Sequence, residues 1–273
     1  MNTTRRKLRL AVLVSGGGTN LQALLDRAAE GELAAEVVVV TSDRADAYGL
    51  VRAERGGIPH HVVDYKAHLQ RARELDLLEE ILPVDLEELD RRQRILKTKD
   101  PLKRLRHLAG LVFAEKEMME LLDGYHPDYI CLAGFMRLLS PYFISHYNQR
   151  DSWRILNVHP ALLPAFPGQH GYEDTFAYGA KWGGVTVHFA DEGEDTGPII
   201  AQGVYPIWPA DDLEKIRKRG LQLEYEVYSQ CINWLAAGQV KMQQDADGRM
   251  KTLICDPSYA DILSKWIRKS FAF

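Results

Sequence analysis

The sequence predicts an α/β fold: a mostly parallel sheet with helices on both faces, a mixed C-terminal part and a charged helical insertion. Two observations carry most of this. Short apolar runs alternate with helix-period patterns from residue 8 to residue 133, the signature of βαβ units. The first apolar run ends in Ser15-Gly16-Gly17-Gly18-Thr19-Asn20 and passes directly into a helical pattern, the strand–turn–helix order of an open parallel sheet. A third observation bounds the size. A chain of 273 residues, 46% of them hydrophobic, is long enough for one large core with appendages.

The elements follow in order. Leu8 to Val14 (LRLAVLV) is the first strand, and the pattern opening LQALLDRA is a helix over about 20–30. A strand over 36–41, a helix over 47–56 and a strand over 61–64 come next, then a long helical region and a strand over 128–133. Within that helical region, Leu69 to Gly110 carries 10 Lys or Arg and 9 Asp or Glu, with leucines at helical spacing and Pro83 and Pro101 as breaks. It is expected to form extra solvated helices, an insertion of 69–110 that reads as a surface appendage, with a mobile lid or an oligomer contact as the alternatives. Arg154-Ile155-Leu156 leads into Asn157. Val185–Phe189 and Ile199–Val204 alternate less with helices and are expected as antiparallel or mixed strands, followed by a helix over 211–238. The main domain is placed at 1–242. The extension 243–273, with a short strand near Thr252–Ile254 and an amphipathic helix from Tyr259 to Phe271, is expected to pack on it. In Rossmann-like sheets of this kind ligands sit beyond the C-terminal strand ends. The glycine loop, Ala133–Met136 and Asn157 all fall at such ends.

Composition narrows the function classes. A net charge of −4 offers no basic footprint for nucleic acid. Cys131, Cys231 and Cys255 are too few and scattered for a zinc site or a disulfide framework, and the nine histidines show no metal-ligand spacing. No metal is expected. Arg5-Arg6-Lys7 precedes an apolar run too short for a membrane span, and that run leads into the glycine loop, so it reads as a core strand and not as a signal peptide. A cytoplasmic protein without membrane or nucleic-acid partners is expected.

The chemistry concentrates in LNVHPALLPAFPG, Leu156 to Gly168, and DEGEDTGPII, Asp191 to Ile200. Asn157 and His159 stand two residues apart and share one face of a strand, while Pro160 enforces an extended exit. An amide donor beside an imidazolium supported by a carboxylate stabilises a developing oxyanion and moves a proton in acyl transfer. Asp195 is the candidate carboxylate, though Asp191, Glu192 and Glu194 share its loop. His188, which alternates with Thr186, reads equally as a supporting or a substrate-contacting residue, and His170 is a weaker candidate. The glycine loop brings backbone N–H groups to a helix N-terminus, a cradle for an anion. Gly18, Thr19 and Asn20 are its candidate ligands. Leu21 stands where a dinucleotide loop has its third glycine, and no Lys-Ser/Thr pair follows. A phosphomonoester fits better than a dinucleotide, and Asp43 is a weak ribose-binding candidate.

Together these residues resemble the folate-dependent formyltransferase superfamily and, within it, the phosphoribosylglycinamide formyltransferases, also called glycinamide ribonucleotide transformylases. The likeness spans about Leu8 to Asp64 (LVSGGGTNLQALL, TSDRADAYGLVRAERGGIP) and about Ala114 to Met242 (LAGFMRLLSP, LNVHPALLPAFPG, GGVTVHFADEGEDTGPIIAQ). The resemblance implies transfer of a formyl group from 10-formyltetrahydrofolate, as co-substrate, to the amine of 5-phosphoribosylglycinamide in de novo purine biosynthesis. The attack is direct, without a covalent enzyme intermediate. Asn157, His159 and Asp195 become the catalytic residues, with a protonated His159 whose pKa Asp195 raises. Gly18, Thr19, Asn20, Pro160 and Glu224 become substrate-binding, Glu224 at the glycinamide end. Met136, Arg137, Leu138 and Leu139, with Asn157, become the folate-binding stretch, through main-chain groups at the pterin edge. The arginine that family members use for folate falls near the insertion, and no residue here is assigned to it. The partners implied are small-molecule substrates, and a homodimer is compatible with the family. Alternative readings are a formyltetrahydrofolate hydrolase, another folate-dependent formyltransferase, or a non-enzymatic nucleotide- or folate-binding regulator. The methionyl-tRNA member carries a further C-terminal domain and the hydrolase an N-terminal one. The short lengths outside the motifs disfavour both, and the retained Asn157, His159 and Asp195 disfavour the regulator.

Overall fold

A computed structural model describes residues 6–74, 82–149 and 152–272. β1 (Leu8–Val14) leads through the glycine turn into α1 (Thr19–Ala29), and β2 (Ala35–Ser42), α2 (Tyr48–Arg55) and β3 (His60–Val62) complete the first half. α3 (Tyr65–Glu74), α4 (Leu86–Arg92) and α5 (Pro101–Gly124) precede β4 (Tyr129–Leu132), α6 (Pro141–Tyr147) and β5 (Ile155–His159). After α7 (Gly171–Ala177) come β6 (Trp182–Phe189), β7 (Ile199–Pro206) and α8 (Leu213–Ala236). The chain closes with β8 (Val240–Gln244), β9 (Met250–Ile254) and α9 (Tyr259–Ser270).

The seven-stranded sheet has the order β3-β2-β1-β4-β5-β6-β7. β1 to β5 pair in parallel, and β6 and β7 are antiparallel, as expected for the mixed C-terminal part. Alternation along β1 builds two cores. Leu10, Val12 and Val14 face a cluster closed by residues of α1, α2 and α8, while Ala11 and Leu13 face one closed by α5 and α6. The chain runs outward from β1 in one direction through β2 and β3, then crosses back to β4. The C-terminal ends of β1 and β4 therefore flank a topological switch point, where an open α/β sheet forms its crevice. Two hydrogen bonds tie these ends together: Ser15 N–H to the Gly134 carbonyl at 3.0 Å and Met136 N–H to Ser15 Oγ at 2.8 Å.

Several elements differ from expectation. The third strand covers His60–Val62, short of the predicted 61–64. α6 and α7, one of them started by the Ser140 cap and Pro141, are too short to register as periodicity. The predicted insertion is not wholly solvated. Asp85 and Asp100 cap α4 and α5 through backbone N–H groups, yet Leu89, Ile95 and Leu108 are buried in the second core. Gly110 lets α3 approach closely, since a Cβ there would lie 2.9 Å from the Leu69 Cα. Residues 75–81 of the insertion lie outside the described residues. The hairpin β8–β9 spans the expected boundary at 242, and the tail is anchored by Trp266, buried against Trp234 of α8 with ring centroids 5.9 Å apart. Among the described residues no helix is long and apolar enough to cross a membrane.

Candidate active site

A cavity of about 340 Å³ opens at the switch point. Its walls bring together Gly18, Thr19, Asn20, Met136, Arg137, Leu138, Leu139, Asn157, His159, Pro160, Asp195 and Glu224, the residues expected for catalysis, acceptor binding and folate binding. His170 is absent from its lining, and His188 is present.

The glycine turn forms because Gly18 adopts φ 65° as the residue before α1, a conformation L-residues with a Cβ rarely hold. A Cβ at Gly18 would also stand 2.7 Å from the Gly49 Cα, whereas Gly16 and Gly17 face open space. No side chain caps the start of α1, so its first N–H groups face the cavity end of the helix. Asn20 is buried and donates from Nδ2 to Glu224 Oε2 at 2.6 Å, while its Oδ1 has no partner. The Tyr172 hydroxyl donates to the other Glu224 oxygen. Burial raises the Glu224 carboxyl above its ordinary value, opposed by these two hydrogen bonds.

On β5 the alternation sets Asn157 and His159 on one face. The antiparallel register sets Asn157 directly opposite His188 of β6. Asn157 Nδ2 lies 3.1 Å from His188 Nε2 and donates to Asp195 Oδ1 at 3.3 Å. Asp195 Oδ2 accepts the Gly168 N–H at 2.7 Å and lies 3.3 Å from His159 Nδ1, while His159 Nε2 lies 2.8 Å from the Phe166 carbonyl. Burial opposes ionisation of Asp195, but His188, whose Nε2 lies 3.6 Å from Oδ1, the His159 charge and the Gly168 N–H outweigh it, and the carboxyl falls below its ordinary value. For His159 the balance runs the other way, which corrects the expected raised pKa. Asp195 does favour the imidazolium, but desolvation is larger and holds the group below the ordinary histidine value.

The folate-binding candidates after β4 are held from both sides. Arg137 Nε donates to the buried Asp43 at 2.6 Å, so Asp43 serves as an anchor for Arg137 and not as a ribose acceptor. Behind the loop, the buried Glu115 of α5 accepts from the Ser140 N–H at 2.7 Å and from the Ser140 hydroxyl. The apolar end of the cavity is lined by Leu132, Phe135, Leu139, Ile144 and Ile95. Arg92, the last residue of α4, pairs with Glu192 of the acidic loop, so the insertion touches the site directly. Tyr172 and Ile95, which line the cavity, were not singled out as site residues. For His188 the sequence left the role open, and the strand pairing that seats it beside Asn157 needs the fold.

The family model described as Formyl transferase matches residues 8–232. Phosphoribosylglycinamide formyltransferase of Escherichia coli (strain K12) is 34% identical over 239 residues, covering 88% of this chain and 92% of that protein. The enzyme of the same name from Haemophilus influenzae is 32% identical over 237 residues, 87% and 91% of the two chains. The crystal structure of glycinamide ribonucleotide transformylase 1 from Symbiobacterium toebii superposes with a TM-score of 0.70 at 35% identity, over 92% of this chain and 95% of that one. With its motifs gathered at one switch-point cavity and near-complete coverage of these relatives, the chain belongs to the formyl transferase family.

Proposed function

We propose that the protein transfers a formyl group from 10-formyltetrahydrofolate to the amine of 5-phosphoribosylglycinamide, the reaction named for its relatives and a step of purine biosynthesis. The observation that carries this reading is the single cavity shared by the glycine turn, the stretch after β4 and the Asn157–His159–Asp195 cluster. The phosphate of the acceptor binds at Gly18, Thr19 and Asn20, and Glu224 takes its glycinamide end. Pro160 borders the acceptor, and Met136 to Leu139 hold the pterin. Fixing both reactants in one cavity converts the attack into an oriented, effectively unimolecular step.

The acceptor nitrogen attacks the formyl carbon, and the carbonyl electron pair moves onto oxygen. Asn157 Nδ2 donates to that oxyanion. His159, held neutral by burial, takes the proton from the attacking amine, and the imidazolium so formed is stabilised by Asp195 3.3 Å away. That proton, relayed directly or through water, passes to N10 as the carbon–N10 bond breaks, releasing tetrahydrofolate and the formylated acceptor. An absorbance assay for tetrahydrofolate formation, run with and without the phosphoribosylglycinamide acceptor, tests the reading. Acceptor-dependent product is expected, while acceptor-independent formate release would identify a hydrolase instead.

A further inference from the structure

α2 meets the glycine turn backbone to backbone. A Cβ at Gly18 would stand 2.7 Å from the Gly49 Cα, and one at Gly49 would stand 2.8 Å from Val14 Cγ2, so a side chain is excluded on both sides of this contact. Across it the Gly49 N–H donates to the Gly16 carbonyl at 2.9 Å. Further along α2, Arg52 Nε donates to the Gly17 carbonyl at 2.7 Å. A second bond, from Arg52 Nη1 to Gln22 Oε1 at 2.9 Å, fixes the guanidinium, which also lies 5.0 Å from the centre of the Tyr48 ring. Both of its acceptors are neutral, so the arginine is held by the turn and α1 and not by a carboxylate.

These bonds decide the polarity of the turn. Its peptides are trans, and in a trans peptide the C=O and N–H point opposite ways. With the Gly16 and Gly17 carbonyls held toward α2, the N–H groups of Gly17 and Gly18 point away from it, and both residues line the cavity. Neither N–H has an acceptor among the described residues. Sterics alone do not choose this orientation, because a Cβ at Gly16 or Gly17 would meet nothing and glycine is free to adopt other backbone conformations. A flipped Gly17-Gly18 peptide would present its oxygen to the cavity and repel an anion there. We propose that Arg52 is a positioning residue for phosphate recognition. It is not part of the cavity lining and acts by holding the Gly17 carbonyl, so that the Gly18 N–H, beside that of Gly17, meets the phosphate already oriented. This role deepens the assignment of the acceptor's phosphate to the glycine turn and rests on it.

The test compares the wild type with Arg52→Met and Arg52→Lys. Ribose 5-phosphate binding is measured by calorimetry, which needs no turnover, and kcat and the KM values for acceptor and folate by the absorbance assay. Methionine keeps an unbranched stem over Tyr48 but donates no hydrogen bond. Arg52→Met should weaken ribose 5-phosphate binding and raise acceptor KM by about tenfold, the size of one charge-assisted hydrogen bond, with kcat and folate KM nearly unchanged. Arg52→Lys, which returns a charged donor to the Gly17 carbonyl, should recover most of the loss. A purely structural role would lower thermal stability and move the two KM values together. That outcome, or wild-type ribose 5-phosphate affinity in Arg52→Met, overturns the proposal and leaves the assignment of the turn in place. A wild type with equal kcat/KM for the acceptor with and without its phosphate would remove the phosphate site itself, and the proposal with it.

Discussion

His159 sits between two acceptors, the Phe166 carbonyl and Asp195. A neutral imidazole satisfies one of them and an imidazolium both. The site thus leaves the ring neutral by desolvation while keeping a carboxylate ready for the charge it gains. His159→Ala and Asp195→Asn should each lower kcat by about two orders of magnitude with folding retained. Asp195 adopts φ 56°, which asparagine tolerates, so the conservative variant keeps the loop. The acid limb of the pH–rate profile should lie below pH ~6.5, the ordinary histidine value. Asp195→Asn should move that limb lower still, since it removes the charge that raises the imidazole pKa. Near-normal turnover in folded His159→Ala, or a limb that shifts upward, would sink the mechanism.

At the scale of elements, the turn from β1 to α1 separates two glycine roles. Gly18 is required by its φ and by the Gly49 backbone, so Gly18→Val should destabilise the protein by roughly 1–3 kcal/mol or more in addition to any binding defect. Gly17 faces open space where it lines the cavity. Gly17→Ala should therefore stay within about 0.5 kcal/mol of wild type and raise the KM of the phosphate-bearing acceptor, with folate affinity unchanged in calorimetry. Equal losses for both ligands would show that the turn does not read the acceptor.

The link from α5 to α6 carries a second test at this scale. Burial pushes the Glu115 carboxyl from 4.5 up to about 7, against its hydrogen bonds from Ser140 and the Phe143 N–H. The folded state therefore binds this proton more tightly than the unfolded chain. The stabilisation is complete below the unfolded value of 4.5 and is lost as pH rises through about 7, a difference of roughly 3 kcal/mol. Urea unfolding of the wild type and Glu115→Gln at pH 4.5 and pH 8 should show the wild type losing more stability than the variant on going to the higher pH. Parallel pH dependences in the two proteins would refute it.

For the whole molecule, the insertion is part of the site's wall. Leu89 and Ile95 join the core, Ile95 lines the apolar end of the cavity, and Arg92 holds the loop that carries Asp195. Ile95→Ser should raise folate KM by about tenfold, as expected for one apolar contact of 1–3 kcal/mol, with acceptor KM little changed. A folate KM within a factor of two of wild type would return the insertion to the role of a surface appendage.

The sequence by itself determined the parallel sheet, the order of its strands along the chain and the three strand ends that meet at the cavity. Those properties depend on local periodicity, on glycine and proline, and on motifs read within a few residues. Asn157 and His159 share a face because strand alternation is local, so their pairing was legible. Only the tertiary structure decided what surrounds them. His188 reaches Asn157 through antiparallel registry with a strand 31 residues away, and Tyr172 and Asn20 meet Glu224 from separate helices. Ile95 enters the cavity from a segment whose charge pattern reads as solvated. The direction of the His159 shift was decided there too, because a neighbouring carboxylate can be inferred from a motif, whereas the desolvation that outweighs it exists only once the chain has closed around the ring.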